Sequence, residues 1–393
     1  TPQTTPLKAN AGGNLEPQHV YGRDQFIELL WHTLESQSVL QSGERRTGKT
    51  QILRKMLQQP KPGWKPVFHD LEKIHSALEF AELVYDDIQQ FLGTATRAKN
   101  FIQRWFEHNE TDYINLKGRT WKQLLNSAVA DLDKSIQTEK LVFFWDEVPW
   151  MLDSICRHEG LPVAAQVLDA IRSLRIEHTS FRVILTGSIG IHHILAKLSA
   201  AGIPTPAIND LYQAHVPPLN PADAVHLATD LLTGENIDCS HLHDVAHSIA
   251  EEVDCQPFYI QHIVAALRLK QDPVTPDTIR QHVRQQLVDA NDPWQLAHYR
   301  NRLHSYYPNG SDARHAAAIL DTLAATPDQQ PALAVQQLKQ HLAAGTSAPP
   351  DHDHLLQLLR LLDADHYITR DTLGHYHFRS QLIRRWWKLD RAL

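Results

Sequence analysis

The sequence has only three cysteines, Cys156, Cys239 and Cys255, which lie far apart and include no C-x-x-C pair. This number and spacing argue against a disulfide framework and a cysteine zinc site, and they suit a reducing cytosol. Apolar runs are short as well, and none approaches the roughly 18 residues that a transmembrane helix needs. We therefore expect a cytoplasmic protein with no membrane partner.

An excess of positive charge is also missing, since the net charge is −7 over 393 residues. A global basic field for nucleic acid is thereby excluded, although a local basic patch is not. The composition, with 42% hydrophobic and 21% charged residues, is typical of a globular protein with two or three domains. The 25 histidines are scattered, and we interpret the pairs His192/His193 and His241/His243 as surface residues rather than metal ligands.

The most informative stretch begins at Gly43 and reads Gly-Glu-Arg-Arg-Thr-Gly-Lys-Thr. It fits the phosphate-loop template G-x-x-x-x-G-K-[ST] without a mismatch. In such a loop the backbone N–H groups and a helix N-terminus face phosphate oxygens, while Lys49 reaches the β- and γ-phosphates and Thr50 ligates Mg²⁺. The flanking sequence predicts a strand over residues 38–41 and a helix over residues 51–57, which is the context that the motif requires.

A second motif supplies acidic groups about 100 residues later, where the apolar run at residues 141–145 ends in Asp146 and Glu147. A fully apolar strand fits a parallel sheet that is buried on both faces, and its carboxyl end opens onto the ligand crevice. We expect Asp146 to serve the Mg²⁺ site beside Thr50, and Glu147 to orient or deprotonate the attacking water. Ser188, after the next predicted strand, could contact the γ-phosphate or that water, or could be a simple turn residue.

The alternation of strands and helices predicts an α/β fold with a parallel-sheet P-loop NTPase core. We expect a flexible lead at residues 1–19, the core at 20–215, a helical lid at 216–288 and a winged-helix-like C-terminal domain at 289–393. The last domain combines three predicted helices with a hairpin over residues 367–378 and a final helix over residues 380–389.

Several short motifs give the chain a family resemblance. It resembles the STAND branch of the AAA+-related ATPases, particularly an archaeal-type group that also occurs in bacteria, in the segments 21–24, 43–50, 144–147, 184–188 and 216–219. The resemblance implies ATP/ADP and Mg²⁺ as ligands. It implies nucleotide contacts from Tyr21, Gly22, Arg23, Gly43, Glu44, Arg45, Arg46, Thr47, Gly48, Lys49, Thr50, Gln51 and Pro257. The sequence Cys255-Gln-Pro257 departs from the family's Gly-x-Pro turn.

We expect an ATP-hydrolysing molecular switch that couples nucleotide state to a protein partner or to self-assembly, as the resemblance implies for defence or signalling. Two alternatives are a DNA-associated AAA+ ATPase and a scaffold with a degenerate site. Five basic residues lie on or beside the last helix: Arg379, Arg384, Arg385, Lys388 and Arg391. They leave three interpretations open: a DNA-facing surface, a solvated face, or part of an autoinhibitory lid. Candidates for an arginine finger are Arg172, Arg175 and Arg182, although we favour an ordinary solvated arginine at each of these positions.

Overall fold

A five-stranded parallel sheet organises the first of two compact units in this computed structural model, which describes residues 6–13, 15–92, 117–134, 139–187, 190–270, 272–307, 310–345 and 348–393. The strand order is β2-β3-β4-β1-β5, and every pairing is parallel. The strands are β1 (Val39–Ser42), β2 (Trp64–Asp70), β3 (Lys140–Asp146), β4 (Arg182–Thr186) and β5 (Tyr212–His215).

We call this part, Arg23–Gly43 and Lys49–Val216, the sheet unit. Seven described helices surround its sheet: α1 (Asp24–Leu34), α2 (Lys49–Gln58), α3 (Ala77–Leu92), α4 (Lys117–Lys134), α5 (Val148–His158), α6 (Leu161–Glu177) and α7 (Ile191–Ala200). Strand β3 is buried on both faces, because Phe143 and Trp145 belong to one hydrophobic cluster and Phe144 to the other. This accounts for its uninterrupted apolar sequence and confirms the predicted parallel α/β core.

The helical unit comprises the described residues up to Gly22, the short segment Glu44–Gly48, and Pro217–Leu393. Its helices are α8 (Pro221–Gly234), α9 (Leu242–Glu252), α10 (Pro257–Leu267), α11 (Pro276–Leu287), α12 (Ala297–Tyr306), α13 (Gly310–Ala324), α14 (Val335–Gly345), α15 (His352–Ala364) and α16 (Gln381–Asp390). One continuous core runs from Leu219 to Trp387. The division of this region at residue 288 stays a prediction.

An antiparallel hairpin of β6 (Ile368–Arg370) and β7 (Tyr376–Phe378) lies between the last two helices, where the sequence predicts one. Four elements have no sequence prediction: α5, α7, α12 and β5. Strand β5 carries only one buried residue, Ala214, so it lacks the apolar run that identifies the other strands. The dipeptide Lys117-Gly118 predicts a loop, but this prediction is wrong, because α4 begins at Lys117. The apolar spacing over residues 101–106 predicts a further helix, and this segment lies outside the described residues.

The turn before α10 explains the departure from Gly-x-Pro. Cys255 has a φ of 55°, in the left-handed region that favours glycine, and Pro257 occupies the first turn of the helix. The Cys255 N–H still donates to the Ala250 carbonyl at 2.8 Å, which closes the end of α9. The backbone therefore keeps the glycine-type turn with a cysteine in place of the glycine.

A pair of substitutions at Cys255 tests this conformation. We expect Cys255→Gly to unfold within about 2 °C of the wild type. Glycine removes the cost of about 1–2 kcal/mol that a side chain incurs in the left-handed conformation. This gain is offset by the lost packing of the cysteine side chain and by the greater entropy of the unfolded chain. Cys255→Val should unfold several degrees lower, since a β-branched residue tolerates this φ poorly. Thermal unfolding followed by circular dichroism makes the comparison, and equal melting temperatures for the two variants would contradict the assignment.

Candidate functional site

The phosphate-loop motif lies at the carboxyl end of β1 and leads into α2, which begins at Lys49. Gly48 has a φ of 92°, so the loop needs a glycine there for its backbone conformation; a Cβ at this position would meet nothing within 4 Å. Thr47 closes the loop internally, since its hydroxyl donates to the Glu44 carbonyl at 2.8 Å. The local geometry is the strand, loop and helix that the motif requires.

Lys49 and Thr50 occupy the first turn of α2 and are tied to different elements of the sheet unit. The Lys49 ammonium is buried, at 7% exposure, and donates to the Gly43 carbonyl at 2.8 Å. The Thr50 hydroxyl donates to the Asp146 carboxylate at 2.6 Å. The structure thus brings together the two residues that the sequence predicts for a metal site.

Asp146 is the last residue of β3 and is only 5% exposed. Burial raises the pKa of its carboxyl group, against the opposing effects of Thr50, the Glu147 N–H and the Lys49 charge. Asp70 pairs with it in register on β2, and its negative charge raises the pKa further. A desolvated carboxylate beside a second acidic residue is poised to receive a cation.

Glu147 follows directly in a left-handed conformation, with φ 56° and ψ 33°. Its N–H donates to the Asp146 carboxylate at 3.0 Å, and α5 begins at the next residue. A non-glycine residue in this region costs of order 1 kcal/mol or more, and such residues cluster at functional sites. The backbone therefore makes an abrupt turn at the residue that the sequence predicts as the catalytic base.

Two polar residues at the same edge of the sheet were missed by the sequence analysis. Gln41 on β1 and Thr186 on β4 are partners in register, 1% and 2% exposed. Neither the Gln41 amide nor the Thr186 hydroxyl has a hydrogen-bond partner among the described residues. Buried polar groups seldom stay unsatisfied in proteins, so these two fit the lining of a site for a polar ligand. Ser188 itself lies outside the described residues.

The other residues that the sequence predicts to contact the nucleotide lie partly in the sheet unit and partly in the helical unit. Arg23 belongs to the sheet unit, just before α1, and is buried, while Gln51 lies in the second position after Lys49 on α2. Tyr21 belongs to the helical unit, where its hydroxyl donates to Asp230 at 2.5 Å and its pKa is raised by burial. Gly22 has a φ of 59°, and a Cβ there would lie 2.4 Å from the Asp223 carboxylate. Their nucleotide contacts stay predictions.

Glu44, in the phosphate loop, is held by the helical unit. Its carboxylate is 6% exposed and accepts hydrogen bonds from the Tyr299 hydroxyl of α12 and, at 3.2 Å, from the Gln256 amide before α10. Burial and the nearby Glu44 charge raise the pKa of Tyr299 well above its ordinary value, which keeps the hydroxyl protonated as a donor. Two directed bonds compensate the burial of this carboxylate.

Arg46 adds a second connection within the helical unit. Its guanidinium lies 4.2 Å from the centre of the Phe258 ring and donates to the Gln295 side chain at 2.5 Å. Arg45 contacts the same Gln295 amide at 3.4 Å. Arg46 has a φ of 74°, in the left-handed region that favours glycine. Side chains of Glu44, Arg45 and Arg46 thus bind protein groups of the helical unit.

The arginine-finger candidates have structural partners instead. Arg175 forms an ion pair with Asp210 at 3.0 Å and also donates to the Ala207 carbonyl, and Arg172 lies 3.5 Å from the same carboxylate. Arg182 is buried and donates to the carbonyls of Leu34 and Ser36. None of these contacts gives an arginine that is presented for another subunit. The interpretation as solvated residues is nevertheless wrong for Arg175 and Arg182, because both are buried.

The basic residues of the last helix are likewise paired within the helical unit. Arg384 is 5% exposed and bonds Asp328 and Thr326, while Arg385 bonds Glu252. Arg379 and Arg391 pair with acidic residues, Asp363 and Asp321, at 2.8 Å each. Lys388 is the member of the predicted set for which the structure gives no ion pair among the described residues. The interpretation as a DNA-facing surface is therefore weakened, because four guanidinium groups are already neutralised.

Comparisons with known proteins agree with this fold. The Walker-type ATPase PABY2304 of Pyrococcus abyssi is 15% identical, with a TM-score of 0.61, over 97% of this chain and 100% of the other. The Aeropyrum pernix ORC2 protein, solved as ADPNP-ADP complexes, is 12% identical, with a TM-score of 0.51, over 100% and 98% of the two chains. No protein-family model matches the chain, and no curated protein matches its sequence. The chain has the fold of these P-loop proteins.

No helix among the described residues is both long and apolar enough to cross a membrane.

The buried carboxyl of Asp146 gives a prediction about stability. Because the pKa is raised in the folded state, ionisation of Asp146 disfavours folding, and wild-type stability decreases as pH rises through that pKa. Asp146→Asn is never ionised, so without nucleotide and metal it should melt about 2–4 °C higher than wild type at pH 8. The difference should shrink as the pH is lowered, because the wild-type carboxyl then becomes protonated.

Thermal unfolding in a chelating buffer measures this effect, with Asp70→Asn as the control. Asp70 is an exposed carboxylate on the adjacent strand, so the control should change the melting temperature by less than about 1 °C. A lower melting temperature for Asp146→Asn than for wild type at every pH would contradict the assignment of a desolvated carboxylate.

Proposed function

We propose that this protein is an ATP-binding and ATP-hydrolysing P-loop ATPase that works as a STAND/AAA+-type molecular switch. The observation that carries the proposal is the contact of Thr50 with Asp146 at 2.6 Å, which joins the phosphate loop to the carboxyl end of β3. A chance glycine-rich turn would have no reason to end beside a buried carboxylate. The pair of motifs, about 100 residues apart in sequence, therefore forms one site.

The loop supplies the groups that bind phosphate. Backbone N–H groups between Gly43 and Gly48 and the N-terminus of α2 attract the phosphate oxygens. Lys49 exchanges its bond to the Gly43 carbonyl for the β- and γ-phosphates, which compensates the burial of its charge. These interactions do not depend on which base the nucleotide carries. We propose adenine because of the family resemblance and because adenine nucleotides are named for the Aeropyrum pernix ORC2 structure.

The donor set at Thr50 and Asp146 fits Mg²⁺, a hard cation that prefers oxygen ligands and keeps several waters. The hydroxyl and the carboxylate supply oxygen atoms, and Asp70 adds negative charge nearby. When bound, the ion neutralises charge on the β- and γ-phosphates. Thr50 and Asp146 are the residues that would hold it.

Hydrolysis requires a water molecule in line with the γ-phosphate. Glu147, at the strained turn after β3, orients this water and accepts its proton, so that ATP and water give ADP and phosphate. Thr186 and Gln41, buried without partners among the described residues, are suited to hydrogen-bond the γ-phosphate or the water. Ser188, two residues after Thr186, keeps its proposed role in contacting them.

We propose that the phosphate loop couples nucleotide state to the rest of the chain, because its residues are divided between the two compact units. Glu44–Gly48 belongs to the helical unit by its contacts, whereas Lys49 and Thr50 belong to the sheet unit. A phosphate that reorders the loop backbone therefore acts on Glu44 and on its bonds to Tyr299 and Gln256. The output is proposed to be a protein partner or self-assembly in a defence or signalling process. DNA stays the alternative partner, with less support because the C-terminal arginines are paired.

Substitutions of Lys49 and Glu147 test the site. Lys49→Ala should weaken ATP binding by about 100-fold or more, because it removes a charge-assisted contact to two phosphates. Glu147→Gln should bind ATP within about threefold of wild type and lose about 10²–10⁴-fold in turnover, the usual contribution of a general base. Binding is measured with a fluorescent ATP analogue, and turnover by phosphate release under single-turnover conditions.

Lys55→Ala is the matched control, because Lys55 lies on the same helix and forms an ion pair with the exposed Asp24. It should bind and hydrolyse ATP as the wild type does. Wild-type turnover in both Lys49→Ala and Glu147→Gln would refute the site, and loss of activity in Lys55→Ala as well as in Lys49→Ala would show general damage to α2.

Tyr299→Phe tests the coupling. The variant keeps the ring but removes one donor from the buried Glu44 carboxylate, so the loop should be released more readily. We expect ADP to dissociate about three- to tenfold faster, the factor that the net free energy of one hydrogen bond allows. The control is Tyr376→Phe, a buried tyrosine of the hairpin. If Tyr299→Phe is less stable than wild type but releases ADP at the wild-type rate, the bond is purely structural.

A further inference from the structure

Three potential metal ligands converge at the surface of the helical unit, on elements that the ATPase site does not use. Asp312 and His315 lie one turn apart on α13, and His354 lies in the first turn of α15. One ligand atom from each of the three lies within 4.8 Å of the others. The local sequence of either helix alone does not show this cluster, because 42 residues separate Asp312 from His354.

The hydrogen bonds prepare His315 to act as a ligand. Its Nε2 lies 2.9 Å from the Ala348 carbonyl, and since a carbonyl only accepts, Nε2 must carry the proton. The lone pair of the neutral ring is then on Nδ1, which is buried and has no hydrogen-bond partner among the described residues. Metal-binding histidines are commonly fixed in this way, with the second ring nitrogen donating to a backbone carbonyl.

His354 and Asp312 have the spacing of neighbouring ligands. His354 Nε2 is 2.9 Å from Asp312 Oδ1, close to the edge of about 3 Å that ligand atoms form around an ion with bonds of about 2.0–2.1 Å. The Asp351 carboxylate accepts a hydrogen bond from the backbone N–H of His354 at 2.8 Å. This bond caps α15 and fixes the start of that helix. An ion pair would account for the close approach of His354 and Asp312, but it would not account for the position of His315 beside them.

We propose that Asp312, His315 and His354 bind one divalent transition-metal ion of the zinc class. Two imidazoles exclude a preference for Mg²⁺ or Ca²⁺, and two nitrogens with one carboxylate are a typical set of three protein ligands. The side chains of His354 and Asp312 are 31% and 18% exposed, so solvent can supply the fourth ligand. The ion would join α13 to α15 and stabilise the C-terminal part of the helical unit, whether or not the proposed ATPase function is correct.

Cobalt(II) and zinc titrations of the full-length, untagged chain test this proposal. Cobalt(II) reports its coordination by visible absorption, and zinc is measured by calorimetry and by the shift in melting temperature. We expect one tight equivalent that raises the melting temperature of wild type. His315→Ala and His354→Gln should each weaken metal binding by about 100-fold or more. Loss of a residue that only hydrogen-bonds to a ligand typically weakens metal affinity by about 10–100-fold.

His352→Ala is the matched control, because His352 is an exposed histidine at the start of the same helix α15. It should bind metal as wild type does. The melting temperature of each variant without metal shows whether it is folded, and His354→Gln keeps a side chain of similar reach if His315→Ala does not fold. Wild-type affinity in either folded ligand variant, or equal loss in His352→Ala, would overturn the site.

Discussion

Buried carboxylates hold the phosphate loop at both of its ends. Asp146 accepts from Thr50 in the sheet unit, and Glu44 accepts from Tyr299 and Gln256 in the helical unit. Each carboxylate is costly to remove from water and is stable only with its donors in place. Residues Glu44–Gly48 of the loop belong to the helical unit, whereas Gly43 and Lys49 on either side belong to the sheet unit. Under the proposed function, a phosphate bound at this loop contacts a segment whose residues belong to both units.

The carboxyl edge of the sheet concentrates the remaining chemistry. Parallel strands end at a common edge, and here Asp146, Thr186 and Gln41 are contributed by the consecutive strands β3, β4 and β1. These three side chains are buried, and Glu147 is held in a left-handed conformation beside them. A desolvated acidic site of this kind strengthens electrostatic interactions with a charged ligand. The similar solved proteins share the fold that produces this edge.

The sequence predicts the parts of the site that depend on local pattern. Lys49, Thr50, Asp146 and Glu147 are visible because a strict loop motif and an apolar strand surround them. Thr186 and Gln41 were missed because their pairing depends on strand register, which no local pattern encodes. The bond from Tyr299 to Glu44 joins residues 255 positions apart. Likewise, Arg384 and Arg385 look like a basic surface in sequence, and only the packing of α16 shows that acidic partners neutralise them.

Hydrogen–deuterium exchange of the wild-type protein, compared with Mg²⁺–ATP and with ADP, tests the central claim most directly. If the loop couples the two units, ATP should slow exchange at residues 43–50 and also change it at residues 254–259 and 295–303, which hold Glu44 and Arg46. The change at the two distant segments should differ between ATP and ADP. Protection confined to the phosphate loop, with identical exchange of those segments in all nucleotide states, would contradict the account.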